Sequence, residues 1–247
     1  MLRAGIGCIT LSASAALLMS GCTGVDLSSV PLADELGFVD VQPVPKEIRD
    51  RYGPTSKDRL EAIRKERNRA KHGSEKIRNE ISEKLAAQIR AESNAFLRQE
   101  IIRALAECET PEAANILRQG LNDESVDVQI QCCRGWGKWG TEESVHVMGQ
   151  VLENKLATLD LKVAAIEALQ SVGNQKGVPF LVPLLDKRED PALQYRSLMA
   201  LQKITGKRLP DDQEAWQAYV AEEHEKAVVL KAERDNRSKA SSLFWWR

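Results

Sequence analysis

The feature that most constrains this chain is a phased recurrence. LKVAAIEALQSVG at residues 161–173 aligns without gaps with LRQEIIRALAECE (97–109), VQIQCCRGWGKWG (128–140) and LQYRSLMALQKIT (193–205). The first column holds Leu97, Val128, Leu161 and Leu193, in steps of 31, 33 and 32 residues. The sixth holds Ile102, Cys133, Ile166 and Leu198, the ninth Leu105, Trp136, Leu169 and Leu201, and the twelfth Cys108, Trp139, Val172 and Ile204. Columns one, six, nine and twelve lie along one side of a helix, whereas a strand would place its apolar residues at every second position.

A second apolar series keeps the same phase. Ala114, Val145 and Val178 share a column, as do Leu117, Met148 and Leu181, and Leu121, Leu152 and Leu185. Their i, i+3, i+7 spacing is again helical, so each unit of about 32 residues predicts two helices, the pattern of an α-solenoid. Just before the ninth column every unit carries a small residue, Ala104, Gly135, Ala168 or Ala200, which close helix approach requires and chance does not keep in register.

On LKVAAIEALQSVG, the following GVPFLVPLL and then EDPALQYRSLMALQKITG, the sequence resembles the HEAT repeats, in particular the short HEAT-like repeats of phycobilisome lyase proteins. The resemblance covers roughly residues 80–220 and implies an all-α fold, a short solenoid of helical hairpins. The second unit departs from the pattern with Gly135, Trp136, Gly137 and Trp139, which suggests local repacking, with the two rings in the core rather than serving a ligand. In the family the second helices line a concave binding face. By that resemblance Asn115, Gln119, His146 and Gln150 form the candidate protein-binding face, joined by Pro179 and Pro183, with simple hydration of a helix face as the competing reading.

The flanks extend the array. Leu85 and Ile89 precede Leu117 and Leu121 by 32 residues, so a helix over 77–90 supplies the second half of a degenerate first unit. Thr55 to Asp58, TSKD, offers a capped helix start before a stretch, RLEAIRKERNRAK, expected to be mostly solvated or partly packed. The basic excess between Arg59 and Arg78 would suit anionic lipid headgroups, or be an ordinary solvated face. Asp190 and Pro191 predict a helix start, and Lys207 to Pro210 a break, after which DDQEAWQAYV restarts a helix whose Trp216 and Val220 cover the last repeat.

The N-terminus has its own signature. Arg3, an apolar run from Ile6 to Met19 and small residues before Cys22 read as an export signal, too short to span a membrane. Leu18, Met19, Ser20, Gly21 and Cys22 resemble the bacterial lipobox, with Met19 where leucine is commonest. That resemblance implies cleavage and lipidation of Cys22, palmitate included, and a chain held to a membrane of the bacterial cell envelope. Thr23 rather than aspartate after it favours the outer over the inner membrane. Prolines 31, 43, 45 and 54 make residues 22–54 an extended linker.

The organisation expected is therefore a signal peptide at 1–21, anchor and linker at 22–54, an N-terminal helical region at 55–94, HEAT-like repeats at 95–222, and a charged helix with an aromatic tail at 223–247. In that tail Phe244, Trp245 and Trp246 are candidates for membrane or docking contact, or for packing onto the repeats. Thirty-five Lys and Arg against 36 Asp and Glu give no nucleic-acid footprint. Three scattered histidines and the absence of CxxC or HExxH spacing give no metal site, and no cofactor or catalytic residue is expected. Cys108, Cys132 and Cys133 read as small core residues, with a bridge from Cys108 to one of the others left open. The expected role is a non-catalytic scaffold whose partner is another envelope protein, with no small-molecule substrate; a lyase-like accessory factor and a purely structural component are the alternatives.

Overall fold

The computed structural model describes residues 45–244, with side chains in the last helix through Arg234. The chain divides into a unit of residues 1–48, of which only 45–48 are described, and a unit of residues 49–247. Helix α1 is Lys46–Tyr52, so the extended linker expected through residue 54 is helical at this end. The reason is local: KEIRDRY contains no proline, and Pro45 and Pro54 lie outside the helix on either side.

The second unit is built of helical hairpins, with no strand among the described residues. Its helices are α2 (Ser56–His72), α3 (Glu75–Ala91), α4 (Ala95–Leu105), α5 (Pro111–Gly120), α6 (Val126–Trp139), α7 (Glu142–Glu153), α8 (Leu159–Val172), α9 (Val178–Leu181), α10 (Pro191–Thr205) and α11 (Gln213–Phe244). The first helices of the hairpins pack in sequence, α2 on α4, α4 on α6, α6 on α8 and α8 on α10, and α2, α4 and α6 also pack on their own second helices, α3, α5 and α7. This is the arrangement of a HEAT-like solenoid.

The aligned columns are its core. Leu97, Val128, Leu161 and Leu193 are all buried, as are Leu105, Trp136, Leu169 and Leu201, and the second-helix column of Leu117, Met148 and Leu181 is fully enclosed. Burying each such side chain contributes about 1.5–3 kcal/mol. The small column sits where it must: a β-carbon on Gly135 would lie 2.6 Å from the Leu117 side chain. Gly137 faces backbone rather than a flexible side chain, since a β-carbon there would lie 2.9 Å from Ala168 Cα, at the broad α6–α8 seam.

Helix ends repeat as well. Asn94, Thr110, Thr141, Thr158 and Asp190 each cap the following helix through a side-chain oxygen, and Thr55 forms a capping box with Asp58. Gly140, Gly173 and Gly206 end α6, α8 and α10 with φ of 65°, 67° and 70°, a left-handed conformation that glycine adopts without steric cost. The residue after the first core column returns to the preceding loop. Arg98 donates to the carbonyls of Glu92 and Ser93, Gln129 to that of Asp123, and Gln194 to those of Asp186 and Glu189. Arg98 also grips the Asp123 carboxylate through two 2.9 Å bonds, tying the loop before α4 to the loop before α6.

Two elements differ from expectation. Helix α2, expected to be mostly solvated or partly packed, is partly packed and goes further, as the first helix of a further repeat: Ile63, Glu66 and Ala70 are buried and correspond to Leu97, Glu100 and Ala104. The stripe is masked in the sequence because its middle member is a glutamate. Burial pushes the Glu66 carboxyl up, but hydrogen bonds of 2.6 Å from Lys84 and from Arg69 outweigh this and hold it below its ordinary value. The second helix of the fourth hairpin is also broken. A 3₁₀ turn at Gln175–Gly177, α9 and a 3₁₀ turn at Val182–Leu185 replace one continuous helix, because Pro183 has no N–H to donate to Pro179.

The three cysteines of the repeats are free and buried. Exclusion from water pushes the thiol of Cys108 up to about 11 and that of Cys133 to about 12, from an ordinary value of 9.0.

Two outcomes follow. Gly137→Ala gains about 1 kcal/mol of helix propensity but overpacks the α6–α8 seam at a cost of about 1–3 kcal/mol. It should therefore lower stability in chemical denaturation, and a gain would show that the seam is slack. Since the thiols ionise in the unfolded chain before they do so in the fold, stability should be level below pH 9.0 and fall as pH rises towards about 12. Replacing all three cysteines with alanine should flatten that slope in thermal melts.

Candidate functional site

The second helices α5 and α7 present neighbouring exposed surfaces whose side chains enclose two clefts. The sequence fixes where each helix starts: Thr110 caps α5 ahead of Pro111, and Thr141 caps α7 immediately after Trp139 and Gly140 close the α6 helix. Glu109, just before the first cap, turns the chain with a positive φ of 52°. These two helix starts and the end of α6 surround the first cleft, of about 410 Å³, which Thr110, Asn115, Arg118, Trp139, Thr141 and Glu143 line in part. The second cleft, about 180 Å³, is lined by Arg118 again, with Leu121, Asn122, Val147, Gln150 and Asn154 among its walls.

Arg118 thus lines both clefts. Its guanidinium pairs with the Glu143 carboxylate, donates to Asn115 Oδ1 at 3.3 Å, and lies 5.6 Å from the centre of the Trp136 ring. Trp136 is completely buried and meets Trp139 edge-on, with ring centres 5.0 Å apart. Trp139 is fixed in turn, its indole N–H donating to the Ala106 carbonyl at 2.8 Å. An arginine whose side chain is 45% exposed therefore rests on the buried Trp136 ring, which Trp139 braces edge-on. Arg and Trp at the centre of a groove are the residues most enriched among strong contacts at protein interfaces. The free edge of the guanidinium can receive a carboxylate or backbone carbonyl.

The residues predicted from sequence divide. Asn115 lines the first cleft and Gln150 the second. Gln119 and His146 are exposed on the same two helices but line neither. Pro179 and Pro183 lie in a separate cleft of about 510 Å³ against α11, with Val182, Val220 and His224. Cys22, Trp245 and Trp246 lie outside the described residues, as does the side chain of Phe244. Sequence reasoning missed Arg118 and Glu143. The only available signal was that an arginine faces outward one unit before the two tryptophans that break the repeat pattern.

No three His, Cys, Asp or Glu side chains gather as a metal group among the described residues, and none of the described helices is long and apolar enough to cross a membrane. Compared with known proteins, residues 82–158, from within α3 to the cap of α8, match the HEAT repeats, in keeping with the helical hairpins of this stretch. No curated protein matches the sequence. Among solved structures, the chain is similar to human deoxyhypusine hydroxylase in complex with glycerol, at 20% identity and a TM-score of 0.46 over 51% of this chain. The match spans 44% of that protein's length. It is similar also to an engineered protein, at 18% identity and a TM-score of 0.43 over 63% of this chain and 76% of the other.

Arg118→Ala should cost only about 1 kcal/mol, because exposed ion pairs and cation–π contacts each contribute at most about that much. Trp139→Ala, which removes packing and a buried hydrogen bond, should cost about 2–3 kcal/mol. Urea unfolding of both variants checks this, and equal costs would make Arg118 a structural group rather than a presented one.

Proposed function

We propose that the protein is a lipid-anchored, non-catalytic scaffold of the bacterial cell envelope that binds another envelope protein through the α5–α7 groove. The observation that carries the binding role is Arg118, half-exposed between two clefts and supported from beneath by Trp136, against which Trp139 packs edge-on. A hairpin array suits such a role, since each helix is held by its neighbours and a rigid face loses little entropy on binding. The anchor rests on the sequence alone: the apolar leader and the Leu18-to-Cys22 segment support lipidation at Cys22, and Thr23 favours the outer membrane.

A photo-reactive amino acid placed at Asn115 or Gln150 in cells should give a discrete adduct with one protein, abolished by Arg118→Glu. The same probe at Lys187, exposed and outside both clefts, should give none. Equal adducts at all three positions, or adducts indifferent to Arg118→Glu, would rule out the groove. The anchor is read separately, by incorporation of labelled palmitate that Cys22→Ser removes.

A further inference from the structure

The cations of α2 are of two kinds. Arg59, Arg67 and Arg69 are spent within the fold, paired with Glu92 at 2.7 Å, Glu100 at 3.8 Å and Glu66 at 2.6 Å. Lys57, Arg64, Lys65 and Lys71 are exposed and make no ion pair among the described residues. Counted from Lys57, they stand 7, 8 and 14 residues on, which at about 100° per residue spreads them over about 120° of one side of the helix. Asn68 and His72, both exposed, lie on the same side, and Glu61 is its one carboxylate. The buried residues Ile63, Glu66 and Ala70 occupy the opposite side, against α3 and α4.

Solubility alone does not explain this row. The first helix of a repeat stack needs a polar outer face, but either sign of charge provides that. Elsewhere the protein mixes the signs. On α3, Lys76, Arg78, Lys84 and Arg90 alternate with Glu75, Glu80 and Glu83, and on α11 Lys226 pairs with both Glu222 and Glu223. Four cations around the single carboxylate of Glu61 leave this face with an excess of three positive charges, so an external anionic surface is its natural complement.

We propose that the outer face of α2 docks on the anionic phospholipid headgroups of the membrane. A band of cations along a rigid helix, about 21 Å from Lys57 to Lys71 at 1.5 Å per residue, fits a flat charged plane. It carries no aromatic side chain for stacking on bases, and the net charge of −1 gives the chain no broader basic footprint for nucleic acid. The proposal rests on the envelope location above, and it gives the anchor a second function. Two weak attachments together hold a protein at a membrane far longer than either alone and also set its orientation.

The test uses the full chain carrying Cys22→Ser, so that no acyl chain contributes. Co-sedimentation is measured with vesicles of phosphatidylcholine alone and with vesicles containing about 30 mol% phosphatidylglycerol. The apolar leader partitions into both, so the difference between them reads electrostatics. The expected result is a preference for the anionic vesicles that falls as salt is raised. Each cation near such a surface adds a factor of about five, so Arg64→Glu, Lys65→Glu and Lys71→Glu together should reduce anionic binding by at least about a hundredfold, the loss of three cations alone giving that factor and the new carboxylates adding repulsion. The matched change of the exposed Lys203, Lys207 and Arg208 to Glu should alter it by no more than about threefold, since those residues lie off the proposed face. No preference for anionic vesicles by the native chain overturns the proposal without recourse to any variant. Equal loss in the two triple variants overturns it too. So does a triple variant of α2 that loses binding to a short DNA duplex while its vesicle binding is unchanged. Palmitate labelling of Cys22 stands or falls independently, so failure of the row is distinguishable from failure of the anchor.

Discussion

A hairpin of two short helices has an apolar face that it cannot cover itself, and in this protein the cover is the next hairpin. The constraint is tightest between α6 and α8, where Gly137 and Ala168 bring the two backbones nearly into contact. The close approach depends on having no side chain at one position and a methyl group at the other. Trp136 and Trp139 supply the bulk that fills the rest of this unit, so small and large residues alternate within four positions of one helix.

The same packing decides how polar groups can be used. Each tight turn between hairpins leaves carbonyls facing inward, and Arg98, Gln129 and Gln194, equivalent positions in three units, satisfy them. Glu66 and Glu100 lie within the layer of first helices, where apolar residues would stabilise as well or better. Glu66 pairs with Arg69 of its own helix and with Lys84 of α3, and Glu100 with Arg103 of its own helix and with Arg67 of α2, so the carboxylates tie α2 to both α3 and α4. On the other layer the consequence is a rigid mounting for Arg118. An arginine on a solvated helix would sample many rotamers; set against an indole, a carboxylate and an amide, it is held ready for a partner.

The end of the array follows different rules from its middle. Trp216 is fully buried, donates to the Pro210 carbonyl at 2.9 Å and meets Tyr219 edge-on, closing the last hairpin where no further repeat follows. Beyond it α11 runs without interruption to Phe244, and from Glu225 to Arg234 every side chain is exposed, Val228, Val229 and Leu230 included. Helix propensity, rather than burial, carries this part of the chain.

The sequence by itself determined the hairpins, their phase and their core columns, because helical periodicity and the repeat are both properties of spacing along the chain. Capping at Thr55, Asn94 and Asp190 was legible for the same reason, since a cap involves residues only two or three positions apart. The repeat in α2 was not, because the buried Glu66 reads as a surface residue until Lys84, 18 positions away, comes beside it. Half of the groove was legible, in Asn115 and Gln150, as outward positions on second helices. Its centre was decided only by tertiary structure: Arg118 acquires its role from Trp136 and Glu143, which are 18 and 25 residues distant and are brought beneath and beside it by the stacking of one hairpin on the next.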